Sequence, residues 1–333
     1  MKPLIFALCF LFAFGSLRAQ TPIWQPSPGH TQVPIWPSPP PDPQPVAGPE
    51  GAKTSGKDDL IAGRPTVWVF NVTRPTMTIY SPTGNNTGAA VVVFPGGGYQ
   101  GLAIDLEGTE VCDWLVPQGI TCVLLKYRVT DVGAYPKSGP FPESPMALED
   151  AQRTLGLLRF HAAEWHIDPQ KIGVLGFSAG GHLVAAMSNH YAKRLYPAID
   201  AADQESCRPD FAVAIYPGHL SLAAAESDAT QGTKKFEVPH PSNADKDLSL
   251  NPDLQVTRQT PPTFLLQAED DNVDNVNDAL SYYIALKNAG VPAEMHLYAR
   301  GRHAFGLRRT EFPITGWPQL VETWLATIGM IPK

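Results

Sequence analysis

Gly176-x-Ser178-x-Gly180 ends the apolar run Ile172-Gly173-Val174-Leu175-Gly176-Phe177 and opens a segment, Ser178 to Tyr191, that reads as a helix. A serine at a strand-to-helix turn, with glycine two residues to either side, is how a hydroxyl nucleophile is exposed, because the turn is too tight for larger side chains there. The helix that starts at this serine aims its unpaired N–H groups at negative charge developing on a substrate. Attack by a hydroxyl needs a base, and nine histidines compete: His30, His161, His166, His182, His190, His219, His240, His296 and His303. His303 follows the last strand-like run, Ala293 to Tyr298, through the turn Arg300-Gly301-Arg302. That is where the chain order nucleophile, acid, base puts the imidazole. His296 alternates within that run and His182 lies four residues along the elbow helix, so both read as packing residues. With the ordinary imidazole pKa of about 6.5, His303 is expected to be mostly neutral near pH 7.5 and able to take the serine's proton.

The orienting acid falls in Glu269-Asp270-Asp271-Asn272-Val273-Asp274, just past the run Thr263 to Gln267. Asp271 is favoured, since it lies in the loop that must reach the imidazole and hold its tautomer. Asp274 directly precedes a helical run, Asn275 to Ala289, and reads as its N-cap; it stays an alternative acid, as do Glu269 and Asp270. A second glycine loop, Pro95-Gly96-Gly97-Gly98-Tyr99, follows the apolar run Ala89 to Phe94. The N–H groups of Gly97, Gly98 and Ala179 are the expected oxyanion hole. Tyr99 and Glu107 are candidates for substrate contact, although for Glu107, an acid before a helix, ordinary matching to the helix dipole is the favoured reading.

The same loop spells Gly96-x-Gly98-x-x-Gly101, a dinucleotide fingerprint. Leu102 to Gly108 separates these glycines from the next helix, however, and the next strand ends Lys126-Tyr127-Arg128 with no acid for a ribose. No nucleotide or other cofactor is therefore expected. Outside the leader the cysteines are Cys112, Cys122 and Cys207, an odd set without C-x-x-C spacing, which reads as buried thiols with room for one bridge and no metal site.

These residues need a scaffold that brings strand ends together. Val67 to Val72, Thr76 to Tyr80 and Ala89 to Phe94 read as strands, the first antiparallel. Helices near Thr109–Val116, Met146–Trp165, Ser178–Tyr191, Asn275–Ala289 and Ile314–Ile328 then alternate with strands Thr121–Tyr127, Lys171–Phe177, Phe211–Tyr216, Thr263–Gln267 and Ala293–Tyr298. Such alternation predicts a mostly parallel central sheet with helices on both faces. Asp150 and Arg153, spaced i, i+3, are expected to pair with each other or with a neighbouring loop. The long polar stretch Pro217 to Pro262 is expected to cover the site as a loop.

Lys2, an apolar run to Phe14 and the small residues up to Ala19 read as a signal peptide over residues 1–19, too short to span a bilayer, which predicts a secreted or periplasmic protein without a membrane anchor. Removing Lys2 and Arg18 takes the formal charge from −7 to −9, a surface unsuited to nucleic acid. Residues 20–60 form a Pro-rich extension, with 11 prolines between Thr21 and Pro49 and two copies of Pro-Ile-Trp. It reads as a strap whose tryptophans pack on the domain, or as an arm that contacts carbohydrate. Residues 61–333 form one catalytic domain.

Taken in order, Pro95 to Gly108, Lys126-Tyr127-Arg128, Ile172 to Leu183 and Leu265 to Gly306 resemble the α/β-hydrolase serine esterases, in particular the secreted bacterial BD-FAE-like group with acetyl-, acetylxylan- and feruloyl-esterase-like members. Pro95 stands where histidine is common, and Asp274-Asn275 departs from the apolar residue and proline usual after this acid. The resemblance implies a Ser178-His303-Asp271 triad that hydrolyses small acyl esters without a cofactor, on a small-molecule or carbohydrate ester, with plant polysaccharide a candidate carrier. An exopeptidase or amidase with the same triad, and a non-catalytic carbohydrate-binding relative, are the alternative readings.

Overall fold

A computed structural model describes residues 23–43, 48–129, 145–222 and 248–332. The signal-peptide reading of residues 1–19 lies outside them, as does 223–247, the middle of the stretch expected to cover the site. In chain order the strands are β1 (Gln32–Pro34), β2 (Gly51–Thr54), β3 (Val67–Phe70), β4 (Thr76–Tyr80), β5 (Ala90–Phe94), β6 (Gly101–Ala103), β7 (Thr121–Lys126), β8 (Ile172–Phe177), β9 (Ala212–Ile215), β10 (Thr263–Ala268) and β11 (Ala293–Tyr298). The helices are α1 (Glu110–Leu115), α2 (Pro145–Phe160), α3 (Ala179–Asn189), α4 (Val276–Ala289) and α5 (Trp317–Thr327).

Eight strands form one sheet in the order β1-β4-β7-β5-β8-β9-β10-β11; β4 pairs antiparallel with both β1 and β7, and the six strands from β7 to β11 are parallel. Strands β5, β7, β8, β9 and β10 are buried along their whole lengths, as unbroken apolar runs covered on both faces must be. The chain crosses from β5 to β7 through α1 in one direction, then back past β5 to β8 through α2 and onward through α3 and α4. Since such crossovers are right-handed, α1 lies on one face and α2, α3 and α4 on the other. Helix α5 joins α1: Trp114 and Trp317 meet edge to face at 5.2 Å, and the Trp114 indole donates to Glu322 at 2.6 Å. The architecture is the α/β-hydrolase fold.

A three-stranded antiparallel sheet, β2-β3-β6, had no signal beyond β3, because its partners are short and begin with glycine. The Pro-rich extension is built into the domain: β1 adds an edge to the main sheet, pairing Gln32 with Thr78 and Pro34 with Thr76. Ile35 and Trp36, the second Pro-Ile-Trp copy, are buried, which rules out Trp36 as a platform for sugar. Cys112 and Cys122 are disulfide-bonded, tying α1 to β7, and Cys207 is a buried free thiol.

Asp150 and Arg153 do not pair with each other, because on the buried side of α2 they face different neighbours. Asp150 accepts the Trp36 indole N–H at 2.8 Å and the Arg128 backbone N–H at 2.9 Å, and pairs with the Arg128 guanidinium. Arg153 grips Asp200 with two bonds of 2.7 and 2.6 Å and donates to the Ile35 carbonyl at 2.9 Å. Arg128 also pairs with Glu149 at 2.7 Å and donates to the Pro41 carbonyl. The extension is thus held by buried charges of the domain. Trp36→Ala should cost about 3 to 5 kcal/mol, from lost burial plus a buried carboxylate short of a donor. Urea denaturation is the measurement, and an unchanged midpoint would show that the Trp36 anchor contributes nothing to stability.

Candidate active site

Five parallel strands deliver the site at their C-terminal ends, where open α/β sheets bind ligands. At the end of β8, Ser178 has φ 52° and ψ −123° and caps α3. A Cβ on Gly176 would lie 2.1 Å from the Gly180 carbonyl oxygen, and one on Gly180 would lie 2.0 Å from that of Phe94. Glycine at both positions is therefore what lets α3 close onto β8 and β5. The Ala179 N–H, first in α3, has no intrahelical acceptor and lies directly after the nucleophile.

His303 Nε2 lies 3.0 Å from Ser178 Oγ, and its Nδ1 lies 2.7 Å from Asp271 Oδ2. Asp271 has no exposed side-chain surface; its other oxygen accepts the N–H groups of Val273 and Asp274 at 2.9 and 3.0 Å, and Gln267 donates to Oδ2 at 3.0 Å. The structure therefore brings Ser178, His303 and Asp271 into one hydrogen-bonded line. The other acids of the segment have separate positions. Asp270 accepts the N–H groups of Gly301 and Arg302 at 2.7 and 2.8 Å, which staples the loop carrying His303 between Arg302 and Ala304, both at positive φ.

Asp274 differs from its expected role as N-cap of α4. Asn275 takes that position, its side chain accepting the Asn277 N–H at 2.9 Å, because the turn begins one residue later. Asp274 is 8% exposed and points instead at the reacting atoms, its Oδ2 at 3.3 Å from Ser178 Oγ and 3.7 Å from His303 Nε2.

The glycine loop after β5 lies against the elbow, since a Cβ on Gly96 would be 3.0 Å from that of Ser178. Gly97 has φ 138° and a Cβ there would meet the Gly101 carbonyl oxygen at 2.2 Å, so the turn admits only glycine. Gly98 and Tyr99 follow, both at positive φ. Glu107, a candidate for substrate contact, is 2% exposed and engaged at both oxygens: it accepts the Gly96 N–H at 2.7 Å and the Tyr216 hydroxyl at 2.8 Å. Burial of this kind makes it a support of the loop, as is the Tyr127 hydroxyl that donates to the Pro95 carbonyl. Tyr99 is buried too, its hydroxyl 2.7 Å from Nδ1 of His182, which is fully buried as its packing role requires. Tyr127 and Gln267 lie in stretches singled out only for their resemblance and Tyr216 in none, so the part each plays at the site became visible only when the fold assembled them. Among the described residues no three His, Cys, Asp or Glu side chains are arranged to hold a metal ion, and no helix is long and apolar enough to cross a membrane.

Residues 77–286, more than half of the chain, match the BD-FAE family, and the chain belongs to it. It is 29% identical over 230 residues to an acetylxylan esterase of Xylanibacter ruminicola and 28% identical over 228 residues to endo-1,4-beta-xylanase B of Butyrivibrio fibrisolvens, which covers 67% and 68% of this chain. It spans less than half of either relative, 42% and 34% of their lengths. The crystal structure of an acetyl ester-xyloside bifunctional hydrolase from Caldicellulosiruptor lactoaceticus is similar over 90% of this chain and 97% of that one, with 30% identity and a TM-score of 0.65.

The electrostatics change the pH expected of the base. Burial alone would push the His303 imidazole down, but the Asp271 hydrogen bond and the charges of Asp274, Asp271 and Glu107 outweigh it and push it up to about 9. The imidazole expected to be mostly neutral near pH 7.5 is therefore biased toward its protonated form in the free protein. Burial in turn raises Asp274 above the usual carboxylate range against the pull of His303 and His219, and raises Glu107 likewise. Because only neutral imidazole takes the serine's proton, kcat/KM for an ester should climb with pH and level off above about 9. Asp274→Asn removes a charge that favours the imidazolium, so its acid limb should lie at lower pH. Coincident limbs in the two pH profiles would show that Asp274 does not act on His303.

Proposed function

We propose that this BD-FAE chain is a serine carboxylic ester hydrolase that removes small, acetyl-type acyl groups from a hydroxylated, carbohydrate-like carrier, through a Ser178-His303-Asp271 triad and an acyl-enzyme. The observation that carries the reading is the line from Ser178 Oγ through the imidazole to buried Asp271, with spans of 3.0 and 2.7 Å, set on a strand-to-helix turn. His303 Nε2 accepts the serine's proton as Oγ attacks the ester carbonyl. The oxyanion forms beside the N–H of Ala179 and the glycine loop at Gly97 and Gly98. Nε2 then returns the proton to the departing alkoxide, and water repeats the sequence to free the acid. Asp271 holds the tautomer and stabilises the imidazolium without taking the proton.

Support for an acetylated carbohydrate comes from the xylan-related names of the similar proteins. It also comes from half-buried Trp68 and Phe70, nearly parallel rings that pack on Gly97 and Gly101 at the rim of the glycine loop and offer aromatic surface to a sugar ring. The apolar leader over residues 1–19 supports action outside the cytoplasm, where such polymers are found.

Ser178→Ala should lower kcat by about 10⁴ to 10⁶ and abolish labelling by a fluorophosphonate, and Asp271→Asn should cost about 10⁴ through the wrong tautomer. An active Ser178→Ala enzyme would end the proposal. Across p-nitrophenyl esters, kcat/KM should peak at acetyl or propionyl, since longer chains gain about 0.8 kcal/mol per CH₂ only where an apolar groove receives them. A maximum at octanoyl or beyond would replace the small-acyl reading with a lipase-like one, and release of acetic acid from acetylated xylan tests the carrier directly.

A further inference from the structure

Asp274 occupies a place that the triad leaves unexplained. Its carboxylate is packed onto Gly218, where a Cβ would sit 2.3 Å from Oδ1 and 2.7 Å from Oδ2, so a side chain at 218 would expel it. The segment carrying that glycine bends sharply on either side, with Tyr216 and His219 both at positive φ. Capping α4 does not require Asp274, because Asn275 performs it. What the position provides is contact with both reacting groups. Nε2, Oγ and Asp274 Oδ2 form a triangle with sides of 3.0, 3.3 and 3.7 Å, and Oγ bridges the other two.

Acylation breaks this bridge. Once Oγ carries an acyl group it has no hydrogen, yet among the described residues the hydrogen bond donated to the Asp274 carboxylate comes from Ser178. A carboxylate only 8% exposed is then left without its donor, which is costly in a buried site. Two acceptors therefore lie side by side next to the acyl carbon: Asp274 Oδ2 and neutral His303 Nε2, 3.7 Å apart. One water molecule, with donor–acceptor distances of about 2.8 to 3.0 Å, can donate a hydrogen to each.

We infer that Asp274 is a second catalytic carboxylate, which positions the hydrolytic water of the deacylation step by accepting its second hydrogen while His303 accepts the first. The inference rests on the ester-hydrolase reading of the same site. Nε2 removes one proton as the water oxygen bonds to the acyl carbon. The bond from that carbon to Oγ then breaks, and the imidazolium returns the proton to Oγ. The second hydrogen stays on the released acid, and Ser178 recovers the hydroxyl that it donates to Asp274. The attack needs no further reactant.

The two half-reactions separate in rapid mixing with p-nitrophenyl acetate, each enzyme held on the plateau of its own pH profile. In Asp274→Ala the first-turnover release of p-nitrophenol, which reports acylation, should change less than about threefold, while deacylation falls about tenfold to a hundredfold through loss of water positioning. Acetyl-enzyme should accumulate and be seen by intact-mass measurement, and hydroxylamine, a stronger nucleophile than water, should restore turnover. Asp274→Asn, which keeps the volume but is a weaker acceptor, should show the same selectivity at smaller size. The acylation rate itself controls for folding. Equal loss in both half-reactions, or no change in deacylation, in the two variants would overturn the inference. The distinct failure of the ester-hydrolase reading is a wild-type protein that gives no Ser178-dependent release of p-nitrophenol at all.

Discussion

The close approach of α3 to the ends of β5 and β8 is the constraint on which the rest of the site depends. With Gly180 laid on the carbonyl of Phe94 and Gly176 on that of Gly180, two strand ends and a helix start share a volume that admits no side chain at either position. Closing that junction forces Ser178 into φ 52°, where a residue other than glycine is strained. The same step sets Gly96 against the serine and so brings the oxyanion loop to the nucleophile. Nucleophile, helix N-terminus and glycine loop are thus consequences of one packing event, held rigid by strands buried along their whole length.

On this junction sits one imidazole among three buried carboxylates. Asp271 faces Nδ1, Asp274 faces Nε2, and Glu107 acts from behind the glycine loop. Burial disfavours every one of these charges, and the positions differ in how that cost is offset. Asp271 receives three hydrogen bonds besides that of the imidazole, two from backbone N–H groups and one from Gln267. Glu107 receives two, from Gly96 and Tyr216. Among the described residues Asp274 receives one, from the nucleophile. The least supported carboxylate is therefore the one whose hydrogen bond changes during the reaction, while the better supported ones belong to the frame that stays still.

Legibility in the sequence follows the same division. The elbow was readable because steric limits are local: a strand, glycines at fixed offsets and a helix need no knowledge of the rest of the chain. The central strands were readable because burial on both faces leaves an unbroken apolar run. Asp270, Asp271 and Asp274 could be recognised as a group, but their division of labour turned on a one-residue question, whether α4 is capped at 274 or 275, and local preference accepts either residue there. The surroundings of Glu107 were hidden for a different reason. An acid before a helix has an ordinary explanation on the surface, and its burial becomes apparent only when Tyr216 arrives from β9, 109 residues later. Partners for Asp150 and Arg153 were likewise remote, since Asp150 is satisfied by Trp36 of the extension and by Arg128 after β7, and Arg153 by Ile35 of the extension and Asp200 after α3, rather than by a helical neighbour.

The extension links these observations to the scaffold. Proline density disfavours helix, but it does not show that a strand at Gln32–Pro34 closes one edge of the main sheet or that Trp36 enters the core. Arg128, two residues past β7, joins the extension to α2 through Asp150 and Glu149, and β7 itself lies beside β5, whose end carries the oxyanion loop. Tyr127, the residue before Arg128, donates its hydroxyl to Pro95 in that loop. Adjacent residues after one strand thus hold the N-terminal segment on one side and the glycine loop on the other. Pro95 lacks a backbone N–H and has no polar side chain, so the bond from Tyr127 to its carbonyl, with that from the Gly96 N–H to Glu107, gives the loop a support made from side chains outside it. A loop fixed in this way can keep its own N–H groups directed at the oxyanion, which is the use that the site requires of them.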